Sequence, residues 1–104
     1  MPLWLHEVTR RGRSMLFAWD KDKAEENVRQ HRVTFAEAET VFDDPLAKTF
    51  LDPDHSEGEE RYLEIGHSER GRLLIVSYTE RQGCIRIIGC RTATRKERRD
   101  YEEG

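Results

Sequence analysis

The chain has 104 residues, of which 38% are charged and 36% apolar, and its formal net charge is -3. This length is typical of one domain with one core, and the overall acidity argues against a general nucleic-acid-binding protein. The charge is uneven: residues 1–60 hold 8 basic and 14 acidic side chains, whereas residues 61–104 hold 10 and 7. The second part could carry a positive surface, or both parts could simply be solvated.

Residues 1–14 are expected to be an N-terminal extension that is dispensable for folding, and residues 15–104 to form a single domain. No run reaches the roughly 18 apolar residues of a membrane span. The basic residues near the N-terminus are not followed by the apolar segment of a signal peptide, so we expect a cytoplasmic protein. Cys84 and Cys90 are six residues apart on a predicted strand. That spacing is roughly 20 Å, which is too far for a disulfide.

Hydrophobic spacing and capping residues predict the secondary structure in chain order. A short strand over residues 16–19 precedes Asp20, which is suited to cap a helix that ends near His31. Thr34 and Glu37 form a capping-box sequence for a second helix. Strands follow over residues 46–51, 61–68, 73–79 and 85–90, and a second capping box at Thr94 opens a polar C-terminal helix. This order indicates an α+β domain, in which two N-terminal helices pack on one face of a small antiparallel sheet.

The two most apolar strands, residues 73–79 and 85–90, are expected to form a hairpin whose turn is residues 82–83. A turn at this point places Gly89 opposite Val76. Since directly opposed residues share a face, one face is then expected to hold most of the ionisable side chains of the hairpin. Those side chains are Arg72, Tyr78, Glu80 and Arg91. The other face, directed to the helices, is expected to hold Leu73, Ile75 and Ile88.

An ionisable face of this kind suits cleavage of RNA through its own 2′-hydroxyl without a metal. The reaction needs a base for the hydroxyl proton, an acid for the leaving oxygen, and cations for the charge that grows on the phosphate. Arginine matches phosphate oxygens with two parallel donors. Glu80 is suited to act as the base, and Tyr78 to stack on a nucleobase or donate a proton. His31 is a further candidate acid, and Arg61 and Arg81 are candidate phosphate contacts.

Each candidate also has an ordinary structural interpretation. The arginines and Glu80 could form salt bridges at strand ends, Tyr78 could belong to the core, and a histidine at the end of a helix is favoured there by the helix dipole. Residues 52–57 hold three acidic side chains and one histidine. They lack the glycine of a calcium loop and the spacing of its terminal bidentate glutamate, so we expect no metal site and no cofactor.

A series of short motifs, taken in order, resembles one known family. The motifs are Phe17-Ala-Trp-Asp20 with Lys23 and Asn27, His31-x-Val33-Thr-Phe35, Phe42-Asp-Asp-Pro45, Asp52-Pro-Asp-His-Ser-Glu57, Ile65-Gly66, Arg86-Ile-Ile with Arg91, Thr94-Arg-x-Glu97 and Tyr101-Glu-Glu. Over about residues 16–103 the sequence resembles the BrnT toxins of bacterial type II toxin–antitoxin modules. Two positions depart from the family pattern. Arg32 replaces a helix-ending glycine, so we expect the first helix to end differently, and Gly89-Cys90 replaces the usual Ser-Ala.

The resemblance implies a RelE-like fold and a ribonuclease that blocks translation. It also implies neutralisation by a BrnA-type antitoxin whose ribbon-helix-helix part binds DNA, so that the toxin contacts DNA only indirectly. The resemblance implies catalytic roles for Arg72, Glu80, Arg86 and Arg91. Tyr78 is a further catalytic candidate. The leading hypothesis is a metal-independent endoribonuclease. The alternative is a non-catalytic, degenerate binding module that acts as partner or co-repressor of the antitoxin; the net charge disfavours a stand-alone RNA-binding domain.

Overall fold

The structure is a computed structural model that describes residues 3–10, 12–52, 54 and 58–104. Within these described residues, six strands form one sheet in the order β1-β2-β6-β5-β4-β3. Neighbouring strands are antiparallel except β2 and β6, which are parallel. The predicted α+β class is confirmed, and the parallel pair is an addition to the expected antiparallel sheet. The elements are β1 (Leu3–Arg10), β2 (Arg13–Asp20), α1 (Lys21–His31), α2 (Phe35–Thr40) with a 3-10 turn (Val41–Asp43), β3 (Lys48–Leu51), β4 (Arg61–His67), β5 (Leu73–Arg81), β6 (Cys84–Thr92) and α3 (Arg95–Glu103).

No helix in the described part of the chain is long and apolar enough to cross a membrane.

Helix α1 begins and ends at the predicted places. The Asp20 carboxylate accepts a hydrogen bond from the Asp22 amide at 2.8 Å, which satisfies one of the free N–H groups of the first turn. At the other end, Arg32 takes the left-handed conformation with φ 58°, and its N–H donates to the Val28 carbonyl at 2.9 Å. The expectation that the helix ends differently without glycine is therefore wrong, since Arg32 adopts the glycine-like geometry.

Helix α2 uses only half of its predicted capping box. The Thr34 hydroxyl accepts from the Glu37 amide at 3.0 Å. The Glu37 carboxylate is 4% exposed and turns instead to the loop before β5, where it accepts hydrogen bonds from Arg72 and from the Ser68 hydroxyl. The glutamate thus anchors α2 to the sheet instead of completing the helix cap.

The core lies between α2 and one face of the sheet, called here the helix face. On β5 this face carries Leu74, Val76 and Tyr78, which are buried in the main hydrophobic cluster. The opposite side of the sheet, called the open face, carries Ile75 and Ser77 of the same strand, because successive side chains of a strand alternate. Other members of the core cluster are Phe17, Trp19, Val33, Phe35, Ala38, Val41, Ile85, Ile87 and Cys90.

The β5–β6 hairpin turns where the sequence predicts, but its register changes along the ladder. Gln82 and Gly83 have φ of 51° and 79°, as in the two-residue turns that suit hairpins. The predicted pairing holds as far as Tyr78 opposite Ile87 and then shifts by one residue, so that Gly89 pairs with Ser77 rather than Val76. A β-bulge absorbs the extra residue of β6 and turns the following side chains to the other face.

The bulge overturns part of the predicted assignment of faces. Arg91 pairs with Ile75 and shares the open face with it, whereas Tyr78 lies on the helix face. Strand β4 also departs from the predicted burial of Leu63 and exposure of Glu64. Glu64 is buried on the helix face, and Leu63 is only half-buried on the open face.

Helix α1 lies along the edge of β6 rather than flat on the sheet. Strand β2 pairs with β6 only between residues 16–18 and 84–86, after which the chain enters α1. Beyond that point the buried Asn27 amide takes the place of a neighbouring strand. Its nitrogen donates to the Cys90 carbonyl at 2.8 Å, and its oxygen accepts from the Cys90 N–H at 3.1 Å. The same nitrogen donates to the Val33 carbonyl at 3.0 Å, which joins the end of α1 to β6.

Replacing this amide should destabilise the protein. In Asn27→Ala the Cys90 N–H and the carbonyls of Cys90 and Val33 lose their partner, and we expect a loss of about 2 kcal/mol or more in the free energy of unfolding. Urea denaturation measures it. Gln30→Ala, which removes an exposed side-chain contact with Glu26 on the same helix, should change stability by less than about 0.5 kcal/mol. Equal losses in the two variants would contradict the role of Asn27.

The N-terminal segment forms a strand within the described residues, and its dispensability stays a prediction. Strand β1 pairs with β2 along its whole length, Val8 contacts the core, and His6 Nδ1 lies 3.2 Å from a carboxylate oxygen of Glu39. A chain that begins at Met15 keeps strands β3 to β6, residues 15–20 of β2, and the main cluster. We expect it to unfold cooperatively in urea with a native-like circular dichroism spectrum, at lower stability because the Val8 contacts are lost. A disordered truncated chain would refute the prediction.

Candidate nucleic-acid interface

A cleft of about 440 Å³ opens between α1 and the open face of the sheet. Its floor is made by Ser77 and Gly89, which are directly paired, so a small side chain and a missing one leave the space above them empty. Two arginines and one histidine stand at its walls. The lining residues are Asn27, His31, Asp52, Arg61, Leu63, Ile75, Ser77, Gly89, Cys90 and Arg91.

A smaller groove of about 180 Å³, called here the cationic groove, adjoins the cleft, and Arg61 lines both. Four cationic side chains line the groove, against the single carboxylate of Glu59. The Arg81 Nε donates a hydrogen bond to that carboxylate. The pKa of Glu59 is lowered, first by this hydrogen bond and also by the charge of Arg86. The four cations are Lys23, Arg61, Arg81 and Arg86.

One side of helix α1 faces both cavities. Lys23 lines the groove, while Asn27 and His31 line the cleft, and the three residues follow each other at intervals of four. Residues at this spacing lie on one face of a helix. The sequence therefore contained the signal for Lys23 and Asn27, which were not among the predicted site residues, although that spacing alone does not say what the face meets.

Arg91 is held at the cleft by helix α3. Its two terminal nitrogens donate to the two carboxylate oxygens of Glu97 at 2.8 Å each, in the parallel arrangement that fixes the plane of the guanidinium group. These bonds are the main reason why the pKa of Glu97 falls from 4.5 to about 2. The predicted capping box of α3 is present and uses the same glutamate, so the helix start and the site arginine are fixed by one side chain.

The Glu97 pair should make stability depend on acidity. Because the pKa of Glu97 is lower in the folded state, ionised Glu97 stabilises the protein above about pH 4.5, and this contribution is lost as the pH falls toward about 2. We therefore expect the stability difference between the wild type and Glu97→Gln to be largest at pH 7 and to shrink by pH 2. Urea unfolding of both proteins across this range measures it. A difference that does not change with pH would contradict the inference.

Three of the predicted catalytic residues lie away from the cleft, and the expectation that they share a face with Arg91 is wrong. Arg72 projects to the helix face, where its Nε donates to Glu37 at 3.0 Å and its Nη2 donates to the Arg32 carbonyl at 3.2 Å. Glu80 pairs with Ile85 and is exposed near the end of β5. The physical reason is the bulge, which moves Arg91 but not these residues. A catalytic role for Arg72, Tyr78 and Glu80 stays a prediction without the shared face that motivated it.

Tyr78 is a core residue by its contacts. It is 6% exposed, its ring stacks on Tyr62 with centroids 5.6 Å apart, and its hydroxyl lies 3.4 Å from a carboxylate oxygen of Glu64. Burial is the main cause that raises the pKa of Tyr78 to about 12. Burial likewise raises the pKa of Glu64. The pair forms a buried polar contact on the helix face, and neither side chain lines the cleft or the groove.

The remaining predicted residues are brought together on the open face. Among the described residues, no group of three His, Cys, Asp or Glu side chains could hold a metal ion. Of the segment examined for a calcium loop, Pro53, His55, Ser56 and Glu57 lie outside the described residues. The predicted site residues that lie together on the open face are His31, Arg61, Arg81, Arg86 and Arg91.

A small α+β domain whose open sheet face gathers arginines, a lysine and a histidine has the clustered positive charge that is typical of nucleic-acid-binding domains. Comparison with known proteins gives the family. The family described as the ribonuclease toxin BrnT of type II toxin–antitoxin systems matches residues 19–97. The chain belongs to this family, and the resemblance seen in the sequence is confirmed.

The fold is also that of a solved relative. The crystal structure of the Brucella abortus ribonuclease toxin BrnT, at 1.1 Å resolution, matches with a TM-score of 0.58 and 22% sequence identity, over 74% of this chain and 94% of that chain. A search of curated proteins found no match. Strand β1 and most of β2 precede the residues that the family covers.

Proposed function

We propose that the chain is an endoribonuclease that cleaves RNA at the open face, without a metal ion, and thereby blocks translation. Membership of a ribonuclease toxin family supports the reaction class. The observation that carries the proposal is that Arg61 and Arg91 line one cleft with His31, beside the cationic groove. Guanidinium groups can bind the phosphate and balance the charge that develops on it.

The proposed reaction uses the 2′-hydroxyl of the RNA as the nucleophile. A base removes the hydroxyl proton, the oxygen bonds to the adjacent phosphorus, and the bond to the 5′-oxygen breaks as that oxygen receives a proton. The products are a 2′,3′-cyclic phosphate and a 5′-hydroxyl. We assign one of the two proton transfers to His31, because an imidazole can both accept and donate a proton and this side chain lines the cleft.

Arg91 is proposed as the main contact of the reacting phosphate. Glu97 holds its guanidinium plane from one side, and the group also lines the cleft next to Gly89. A preoriented guanidinium loses little freedom on binding a phosphate. Arg61 lines both cavities and is proposed to bind the phosphate between them.

A type II system implies an antitoxin protein partner. We propose a BrnA-like antitoxin with a ribbon-helix-helix DNA-binding part, so that DNA is contacted only through the complex, in the cytoplasm. The apolar side chains Leu46, Phe50 and Leu51 are 75%, 48% and 50% exposed around β3. Exposed apolar side chains are typical of surfaces that a partner covers, and the edge strand β3, which carries two of these side chains, is a candidate antitoxin contact.

Cleavage in the presence of a chelator tests the proposal. Purified protein incubated with a defined transcript and excess EDTA should yield fragments with 5′-hydroxyl and cyclic phosphate ends. Arg91→Ala should lower the cleavage rate by about 100-fold or more, as expected for loss of a charge-stabilising donor, while remaining folded by circular dichroism.

The matched control is Arg29→Ala, which removes the same charge from an exposed position of α1 that lines neither cavity; it should cleave at the wild-type rate. Loss of cleavage in EDTA that magnesium restores would contradict the metal-independent reaction. A folded wild type that cleaves neither free nor ribosome-bound RNA, and whose expression is harmless without an antitoxin, would instead support the non-catalytic binding module.

A further inference from the structure

The cleft and the cationic groove differ in chemistry although they share Arg61. The floor and inner wall of the cleft are small or apolar, with Leu63, Ile75, Ser77 and Gly89, and its volume of about 440 Å³ falls in the range of small-ligand sites. The groove has less than half that volume and is lined mainly by cations. The first suits a flat, weakly polar group, and the second suits a compact anion.

Gly89 keeps the floor of the cleft open without being needed for the backbone. Its φ is not in the left-handed region, and a Cβ built on it meets only the Asn27 Oδ1 at 3.9 Å, which is an ordinary contact. A side chain would therefore fit the strand and fill the cleft. Neither the backbone conformation of β6 nor the contacts of Gly89 therefore require the empty space above it.

The cationic groove already holds one oxyanion, the carboxylate of Glu59. This side chain accepts the hydrogen bond from Arg81 and is also held by the charge of Arg86. The Thr79 hydroxyl, which lines the same groove and is buried, helps to lower the pKa of Glu59 but makes no hydrogen bond of normal geometry with any described residue. The groove thus has more donors than one carboxylate uses.

We propose that Glu59 occupies, in the free protein, the position that a phosphate of single-stranded RNA takes when the neighbouring nucleobase enters the cleft above Gly89. The inference rests on the proposed function, since it names how that site recognises RNA. A base can enter a cleft between α1 and the sheet only when it is unpaired and unstacked. When RNA binds, its phosphate replaces the Glu59 carboxylate in the groove. Glu59 therefore weakens the binding of every ligand whose phosphate enters the groove, whether or not the ligand carries a base.

Binding of an uncleavable ligand tests the proposal independently of catalysis. The probe is a fluorescent 2′-fluoro RNA strand of about ten nucleotides, a length within the site sizes of single-strand binders, which lacks the attacking hydroxyl. The same strand is used in a duplex and in an abasic form. Dissociation constants are measured by fluorescence anisotropy at one fixed salt concentration.

Two variants separate the cavities. Glu59→Gln should tighten binding of both the base-bearing and the abasic strand by on the order of fivefold. Gly89→Val should weaken binding of the base-bearing strand by about tenfold and leave the abasic strand unchanged. The duplex should bind the wild type more weakly than the single strand.

Each variant has a matched control. Glu60→Gln makes the same charge change one residue along, at a side chain that contacts Tyr62 rather than the groove, and should change binding by less than about twofold. Thr92→Val places the same apolar side chain, by exchange of a hydroxyl for a methyl group, at an exposed position of β6 that lines neither cavity. If Gly89→Val does not fold, Ser77→Leu fills the cleft from β5 and decides the question.

The outcomes are distinguishable from those of the proposed function. Glu59→Gln binding no tighter than Glu60→Gln, or a filled cleft that binds the base-bearing strand as well as the wild type does, would overturn the inference even for an active ribonuclease. Binding that follows the expected pattern in a protein that cleaves no natural RNA would support the inference and contradict the proposed reaction.

Discussion

The arrangement of the open face depends on one side-chain amide. Strand β2 leaves β6 after three paired residues, and the second half of β6 would be an unpaired edge, whose free N–H and C=O groups are a liability in a sheet. Asn27 satisfies both groups of Cys90 and fixes α1 at that edge. As a result a helix, rather than a strand, borders the cleft, and it contributes Lys23 and His31 to the open face. The side chains of a strand in that position would alternate between the two faces of the sheet, and the cleft would lack the wall that α1 provides.

The β-bulge on β6 is the second local feature that shapes the site. It lets Ile87 and Cys90 both enter the core while Gly89 and Arg91 turn to the opposite side. Without the extra residue, an unbroken alternation from Ile87 would bury Gly89 and Arg91 in the helix face. The two faces of the sheet therefore have distinct electrostatics: ion pairs of the helix face such as Glu37 with Arg72 join α2 to the sheet, whereas the cations of the open face line the cleft and the cationic groove.

Local signals in the sequence were sufficient for most of the fold. The capping residues Asp20, Thr34 and Thr94 marked the starts of all three helices, and the turn at residues 82–83 located the hairpin. These features depend on hydrogen bonds within a few residues, so they can be read from spacing alone. The family resemblance likewise rests on the order of such local motifs, and the family match over residues 19–97 confirms it.

What the sequence could not give was long-range geometry. Gly89 is compatible with a bulge, because a glycine within a strand often marks one, but it does not show at which residue the register shifts. A shift of one residue exchanges the faces of a strand, and this is why Arg72 was expected beside Arg91. The position of α1 depends on hydrogen bonds between the Asn27 side chain and the backbone of Cys90, which is 63 residues away in the sequence. Lys23 and Glu59 were therefore missed as members of the site, and the burial of Glu64 on β4 was not expected from its charge.

The central claim is that RNA is bound on the open face, between α1 and the sheet. A nuclear magnetic resonance titration of the isotope-labelled protein with an uncleavable single-stranded 2′-fluoro RNA tests it most directly. The account predicts that the largest amide shifts fall on the residues around the cleft, including Ser77, Gly89 and Arg91. Shifts concentrated instead on α2 and the loop before β5, around Glu37 and Arg72, would contradict it.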